Sequence, residues 1–355
     1  MNQIAQPRST RLVRRFVENR TFQQQKLTVA DVGARLGYES HWTHFGDQVR
    51  MIGFEPDPEE CEKVNRELGG SGHRCYPVAL HRSRARRTFY ITSTPPSCGF
   101  YKPDQGFFSR IPNERSVQVL RTVEIETTDF DSFAREQGVG PVDFMKLDVE
   151  GAELDVLMGA EKSLSEDILG VSVEVAFYPF HEHRPVFRDL DAFLWSKGFA
   201  LFDLECVRYA RKILSPFLFH PAPGSTREGQ VIWGQAIYFR DAAASLKASG
   251  KAPPEWPLVR VLKLAAVMEV FNFHDCAAEL LDAARQCSIV TEAEAASYLD
   301  LLTPDGMTYQ QFLKATAQRT QRRSFLKRLL PGPVLRATKR GLSACRNLLN
   351  NLLME

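Results

Sequence analysis

Between residues 27 and 203, short apolar runs alternate with amphipathic stretches, and this alternation limits the fold more than any other feature of the chain. KLTVADVG, MIGFEPD, HRCYPVALH, VDFMKLD and GVSVEVAF read as strands. DPEECEKVNREL, EGAELDVLMGAEKSL and FRDLDAFLWSKG, which lie between or after them, read as helices with one apolar face. Strand, helix and strand in repetition predict an α/β fold, a mostly parallel sheet covered on both faces. After residue 200, LFDLECVRYA and QVIWGQAIYF predict two more strands that pair antiparallel at the sheet edge.

The pattern breaks in three places. Between Arg82 and Glu126 the helix expected after the third strand is replaced by a polar and aromatic insertion, with short strands either side. Insertions of this length in compact domains are often lids or binding loops. Residues 1–26 carry six Lys and Arg against one Glu, with Leu12, Val13, Phe16 and Val17 at helical spacing, so a basic amphipathic helix precedes the first strand. From about 245, after the linker ASGKAPPEWP, the pattern is helical throughout. The expected division is therefore a helix at 1–26, an α/β domain at 27–244 and a helical region at 245–355.

Residues 306–354 hold ten Lys and Arg and no acid, with Leu and Val at helical spacing. Such a segment suits either the inner face of a membrane or a solvated bundle surface. Neither the N-terminus nor any other stretch has the apolar length of a secretory signal or a membrane span. Seven cysteines form no CxxC pair, which argues against a zinc ribbon or a disulfide framework. The expectation is a cytoplasmic protein. The net charge of +2 does not by itself mark a nucleic-acid binder, and no N/D-P-P-Y/F element or RNA-binding pattern is present.

Three short stretches carry chemistry. In DVGARLGYES, Gly33 and Gly37 fit a D-x-G-x-x-x-G loop that follows a strand, opens a helix and brings backbone N–H groups close to a ligand. About twenty residues later the second strand ends in FEPDP, where Glu55 can accept hydrogen bonds from both ribose hydroxyls of an adenosine. A nicotinamide dinucleotide wants a third glycine, and Asp31 beside its pyrophosphate would repel it. The same carboxylate attracts an ammonium or a sulfonium, so its sign favours S-adenosylmethionine over NAD.

These residues also resemble a family. DVGARLGYES, GFEPDPEECEKV, YPVALH, VEIETTDFDSFA and DFMKLDVEGAELDVLMGAEKSL are similar, in order from about 29 to 203, to the FkbM methyltransferases. The resemblance implies a Rossmann-like methyltransferase fold and methyl transfer from S-adenosylmethionine, typically to a hydroxyl on a sugar, glycan or polyketide-like product. It further implies that Asp31 and Gly33 lie along the methionine part of the cofactor, Glu55 on the ribose, Val78–Leu80 with Ala79 at the adenine, and Asp148 beside the donor methyl. Arg35 stands where the family commonly has Asn, which puts a side-chain contact from that position in doubt. A rival reading from another class is a non-catalytic module that keeps the fold within a glycan-assembly complex.

FMKLDVEGAELDVLMGA raises a separate question, since it crowds Asp148, Glu150, Glu153 and Asp155 where a strand turns into a helix. Acids in a first helical turn are stabilising by about 0.3–1 kcal/mol each, which accounts for Glu153 and Asp155 as capping and surface residues. Asp148 ends the strand, where ligands of open parallel sheets bind. Glu150 either caps the helix or faces the crevice. Transfer to an alcohol calls for a general base, and the candidates are Asp148, His181 and His183 of FHEHRP. The two histidines are otherwise exposed loop residues, and no metal is expected. His41 and His44 read as surface or packing residues. Phe100, Tyr101, Phe107 and Phe108 of the insertion either stack on an acceptor ring or anchor the loop.

Overall fold

The computed structural model describes residues 7–67, 72–112, 117–214, 225–226 and 229–318. Contacts group the chain into two compact units, Met1–Thr291 and Glu292–Glu355. In chain order the first unit runs α1 (Arg11–Glu18), β1 (Leu27–Val32), β2 (Val49–Phe54), α2 (Pro58–Glu67), β3 (Arg74–Tyr76), β4 (Ala79–Leu80) and β5 (Ala85–Thr92). It continues with α3 (Gln105–Phe108), β6 (Val119–Thr128), α4 (Phe130–Gln137), β7 (Phe144–Leu147), α5 (Glu153–Met158), α6 (Glu161–Glu166) and β8 (Gly170–Ala176). Then come α7 (Phe187–Ser196), β9 (Phe199–Tyr209), β10 (Ser225–Thr226), β11 (Gln230–Arg240), α8 (Ala242–Ser249), α9 (Leu258–Val270) and α10 (His274–Gln286). The second unit contains α11 (Glu292–Leu302) and a helical segment at 309–318. The expected tail helices beyond 318 lie outside the described residues.

The main sheet has the order β10-β9-β11-β8-β7-β1-β2-β3. From β3 to β8 every pairing is parallel, and β11 runs antiparallel to both β8 and β9. The expected antiparallel pair is thus present, with its second strand inserted between the first and the parallel core. All six residues of β1 are buried, as a central strand covered on both faces requires.

On one face α4–α7 bury Phe130, Phe133, Val156, Leu157, Leu164, Leu190 and Leu194 against the sheet. On the other, Trp42 and Phe271 pack on Phe144 at 5.1 and 5.2 Å between ring centroids. Phe271 directly follows α9, so the helices beyond 245 supply part of the second layer. The expected boundary at 244/245 therefore falls inside the first compact unit. Two buried polar contacts show why: Lys263 of α9 meets Asp143 at 2.8 Å, and Glu269 accepts the Leu12 and Val13 N–H groups at 3.0 and 2.8 Å.

Two local expectations change. HRCYPVALH is two strands rather than one, because Pro77 interrupts it. Arg74–Tyr76 joins the main sheet, and Ala79–Leu80 pairs with β6 in a separate three-stranded sheet, β4-β6-β5. The glycine loop also does not open an α-helix. Ser40–Gln48 is a 3₁₀ stretch broken at Gly46, whose φ is 56°.

Candidate active site

The carboxyl ends of β1, β2 and β7 open, together with β8, into one cavity of about 770 Å³. Its floor includes Gly33, Glu55, Ala79, Asp148, Glu150 and Glu174. The smaller sheet forms a wall, since alternate residues of β5 and β6 share a face. Phe89, Ile91, Val123 and Ile125 point their apolar side chains into the cavity from it, with Arg121 beside them. Phe100 of the insertion and Trp233 of β11 complete the lining.

Gly33 carries a positive φ of 91°, and a Cβ there would collide with the carbonyl oxygen of Asp148. Backbone thus lies against backbone where the β1 and β7 turns meet. Gly37 also has a positive φ, 81°, but open space around it, and it is not on the cavity wall. Asp31 likewise does not line the cavity. It is 2% exposed and pairs at 3.2 Å with Lys146, its neighbour in the β1–β7 register. Lys146 also lies 3.7 Å from Asp148 and donates to the Gly33 carbonyl at 3.4 Å. Burial raises the Asp31 pKa, and Lys146 opposes that. The expectation that Asp31 offers its charge to a sulfonium is corrected accordingly, because a buried ammonium already neutralises it. Lys146 was passed over in the sequence as one residue of an apolar run, although strand register would have exposed it.

Glu55 lies in the cavity floor after β2. Its Oε1 accepts the Asp57 N–H at 2.9 Å, and Oε2 has no hydrogen bond among the described residues. Arg35 approaches Glu55 at 3.8 Å while also pairing with Asp57 and Glu60 at 3.5 Å each. Its charge therefore turns outward over the FEPDP turn. Burial raises the Glu55 pKa, with the Asp57 N–H and Arg35 opposing.

The four acids of DVEGAELD have separate fates. Asp148 is half exposed on the cavity wall. Glu150 also lines the cavity and holds the left-handed φ of 54° that non-glycine residues rarely adopt. Glu153 caps the turn, accepting the Val149 and Gly151 N–H groups at 3.1 Å each. Asp155 takes the Tyr101 hydroxyl at 2.7 Å and pairs with Arg82. At 3% and 0% exposure, Glu153 and Asp155 are interior residues, and the expectation of surface positions is corrected. Their charges are admitted because each has its partners.

Arg184, unremarked in the sequence, is buried between Glu153 at 3.5 Å and Glu174 at 3.4 Å. Burial raises the Glu174 pKa to about 8, opposed by Arg184 and reinforced by Glu153 and Asp148. His181 and His183 are not on the cavity wall. His181 is buried against Phe180 and Arg184, and burial lowers its pKa to about 3. His183 is exposed, so the H-x-H pair does not converge. His41 is a packing residue against Trp42 and Phe271. Of the four insertion aromatics only Phe100 lines the cavity. Tyr101 anchors on Asp155, and Phe107 and Phe108 pack with Phe180.

Comparison with known proteins agrees with this geometry. Residues 31–201 match the model of the Methyltransferase FkbM domain. A 2-O-methyltransferase, NoeI, of Sinorhizobium fredii strain NGR234 is 24% identical over 169 residues, covering 46% of this chain and 69% of that protein. Methyltransferase 1 of Beauveria bassiana is 26% identical over 185 residues, covering 49% and 72%. Among solved structures, a methyltransferase FkbM from Methylobacillus flagellatus aligns at 14% identity with a TM-score of 0.33. That alignment spans 60% of this chain and 43% of the solved one.

Proposed function

Residues 31–201 form an FkbM-family methyltransferase domain, and on that premise we propose that the cavity holds S-adenosylmethionine and that the chain methylates a hydroxyl oxygen of a sugar, glycan or secondary metabolite. The observation that carries this reading is one cavity joining Glu55 at the end of β2 to the carboxylates of β7 and β8. Three strand spacings separate β2 from β8, about 14 Å at ~4.8 Å each, which suits an extended nucleoside–amino-acid ligand. The residues fit it. Glu55 Oε2 stands ready for ribose hydroxyls, Ala79 leaves room beside a flat base, and Gly33 leaves backbone unshielded. Asp148, Glu150 and Glu174 supply the negative environment that a sulfonium favours, in place of Asp31. The 2-O-methyltransferase relative supports a hydroxyl oxygen as acceptor.

When bound, S-adenosylmethionine supplies an electrophilic methyl group. The chain's own task is to hold an acceptor hydroxyl in line with it, at roughly 3 Å, and to keep water out. Phe89, Ile91, Val123, Ile125 and Phe100 form the apolar wall for this, and Trp233 offers a ring face to a sugar or other flat acceptor. The test is incubation of the full chain with methyl-labelled S-adenosylmethionine and a panel of lipid-linked glycans and secondary metabolites, read by mass. Label on an acceptor oxygen is expected. Binding of the labelled compound with no transfer to any hydroxyl across the panel contradicts the reading.

A further inference from the structure

The cavity contains three carboxylates, and their partners differ. Asp148 has Lys146 at 3.7 Å, and Glu174 has Arg184 at 3.4 Å. Glu150 has no hydrogen-bond or ion-pair partner among the described residues, although it is partly buried and lines the cavity. It is also held at φ 54°, between Val149 and Gly151, whose φ is 114°. A non-glycine residue there costs about 1–2 kcal/mol. The surrounding contacts impose it: Glu153 ties down the N–H groups of Val149 and Gly151 on either side of Glu150, and Gly99 leaves room against the Glu150 backbone. Strain maintained at a cavity wall points to a role for the side chain it aims.

We propose that Glu150 takes up the proton that the acceptor hydroxyl releases, and that Glu174, positioned by Arg184, shares this proton with it. The inference rests on the methyl-transfer reading. As the acceptor oxygen gains the methyl group, the sulfur keeps the electron pair of the broken carbon–sulfur bond. The hydroxyl proton passes to the Glu150 carboxylate, which returns it to solvent after the product leaves. Atoms and charge balance without any further reagent. Arg184 pairs with both Glu153 and Glu174 and is the fixed positive charge of the cluster. Glu174 and Arg184 are positioning residues. The groups facing Glu150 are Asp148 and Glu153 on its own turn, Glu174 of β8, Arg184 beyond β8, and Tyr209 of β9. Arg121 of β6 also faces the cavity.

The charge pattern explains when Glu150 becomes a base. Burial raises its pKa first, Glu174 and Asp148 raise it further, and Arg184 opposes them. The Glu150–Glu174 pair therefore retains a proton near neutrality. A cation entering the cavity favours the ionised form, so the sulfonium that makes the methyl transferable also frees the base. S-adenosylhomocysteine has the same groups without that positive charge.

Calorimetric titration of the full chain with each compound, at pH 7.5 in two buffers of different ionisation enthalpy, tests this directly. S-adenosylmethionine is expected to displace more protons than S-adenosylhomocysteine, and Glu150→Gln to abolish the difference while both still bind. Glu150→Gly, which relieves the backbone strain, serves as a second variant that folds. Both variants are expected to lower kcat by about 10²–10⁴-fold. The wild-type rate is expected to rise with pH through a midpoint near the Glu174 value of about 8, and Glu174→Gln to move that midpoint. Equal proton release on binding both compounds, or a Glu150→Gln rate within threefold of wild type, overturns the proposal and leaves the methyl-transfer reading standing. Failure of both compounds to bind overturns both readings.

Discussion

Two glycines of one loop, alike in sequence, separate at the residue scale. Gly33 has both a left-handed φ and a neighbour where its Cβ would stand, whereas Gly37 has the left-handed φ and open space. Gly37→Ala is expected to cost about 1 kcal/mol from backbone strain alone. Gly33→Ala adds a collision with the Asp148 backbone, and the total is expected to reach about 2–4 kcal/mol. In thermal melts Gly33→Ala should fall by about 5 °C or more and Gly37→Ala by much less. Equal shifts would mean that the β1 and β7 turns do not touch. Glu55 and Asp148 were legible in the sequence because each follows an apolar strand, and strand ends face the crevice of a parallel sheet. Asp31 was legible as a strand residue and misjudged as a charge. Its partner Lys146 lies more than a hundred residues away and meets it only through β1–β7 register. Lone acids and histidines have the same limitation: neither the burial of His181 nor the isolation of Glu150 is written in the residues beside them.

At the scale of elements, long amphipathic helices such as α2 and α7 were plain, because their spacing repeats over several turns. The smaller sheet was less so. Its strands alternate apolar and polar residues, but which face meets the cavity depends on pairing across the insertion. The docking of α1 was invisible, since it depends on Glu269 of α9 capping the N-terminal turn of another helix. Burial raises the Glu269 pKa from 4.5 to about 7, and the Val13 and Leu12 N–H groups oppose that rise. The folded state therefore binds the proton more tightly than the unfolded chain. The stabilisation from this group is full below about pH 4.5 and is lost as the pH rises through about 7. Glu269→Gln keeps an acceptor but cannot titrate, so the stability gap between wild type and variant should shrink from pH 5 to pH 7.5. Urea unfolding at the two pH values measures this. A gap that is constant or widens contradicts the assignment.

For the whole molecule, the sequence announced a parallel sheet with helices on both faces but not where the second layer comes from. Composition changes at about 245, yet α9 and α10 belong to the same compact unit as α1 and the sheet. A linker rich in Pro and Gly marks a change of direction as readily as a change of domain. Among the described residues no helix is long and apolar enough to cross a membrane. What unites fold and chemistry is the single crevice along the strand ends, with Glu55 toward one side and the β7 and β8 acids toward the other. Calorimetric titration of S-adenosylhomocysteine into the wild-type chain and Glu55→Ala tests that claim most directly. Saturable binding that weakens more than tenfold in the variant is the predicted result. Absence of binding, or an affinity that Glu55→Ala leaves unchanged, contradicts it.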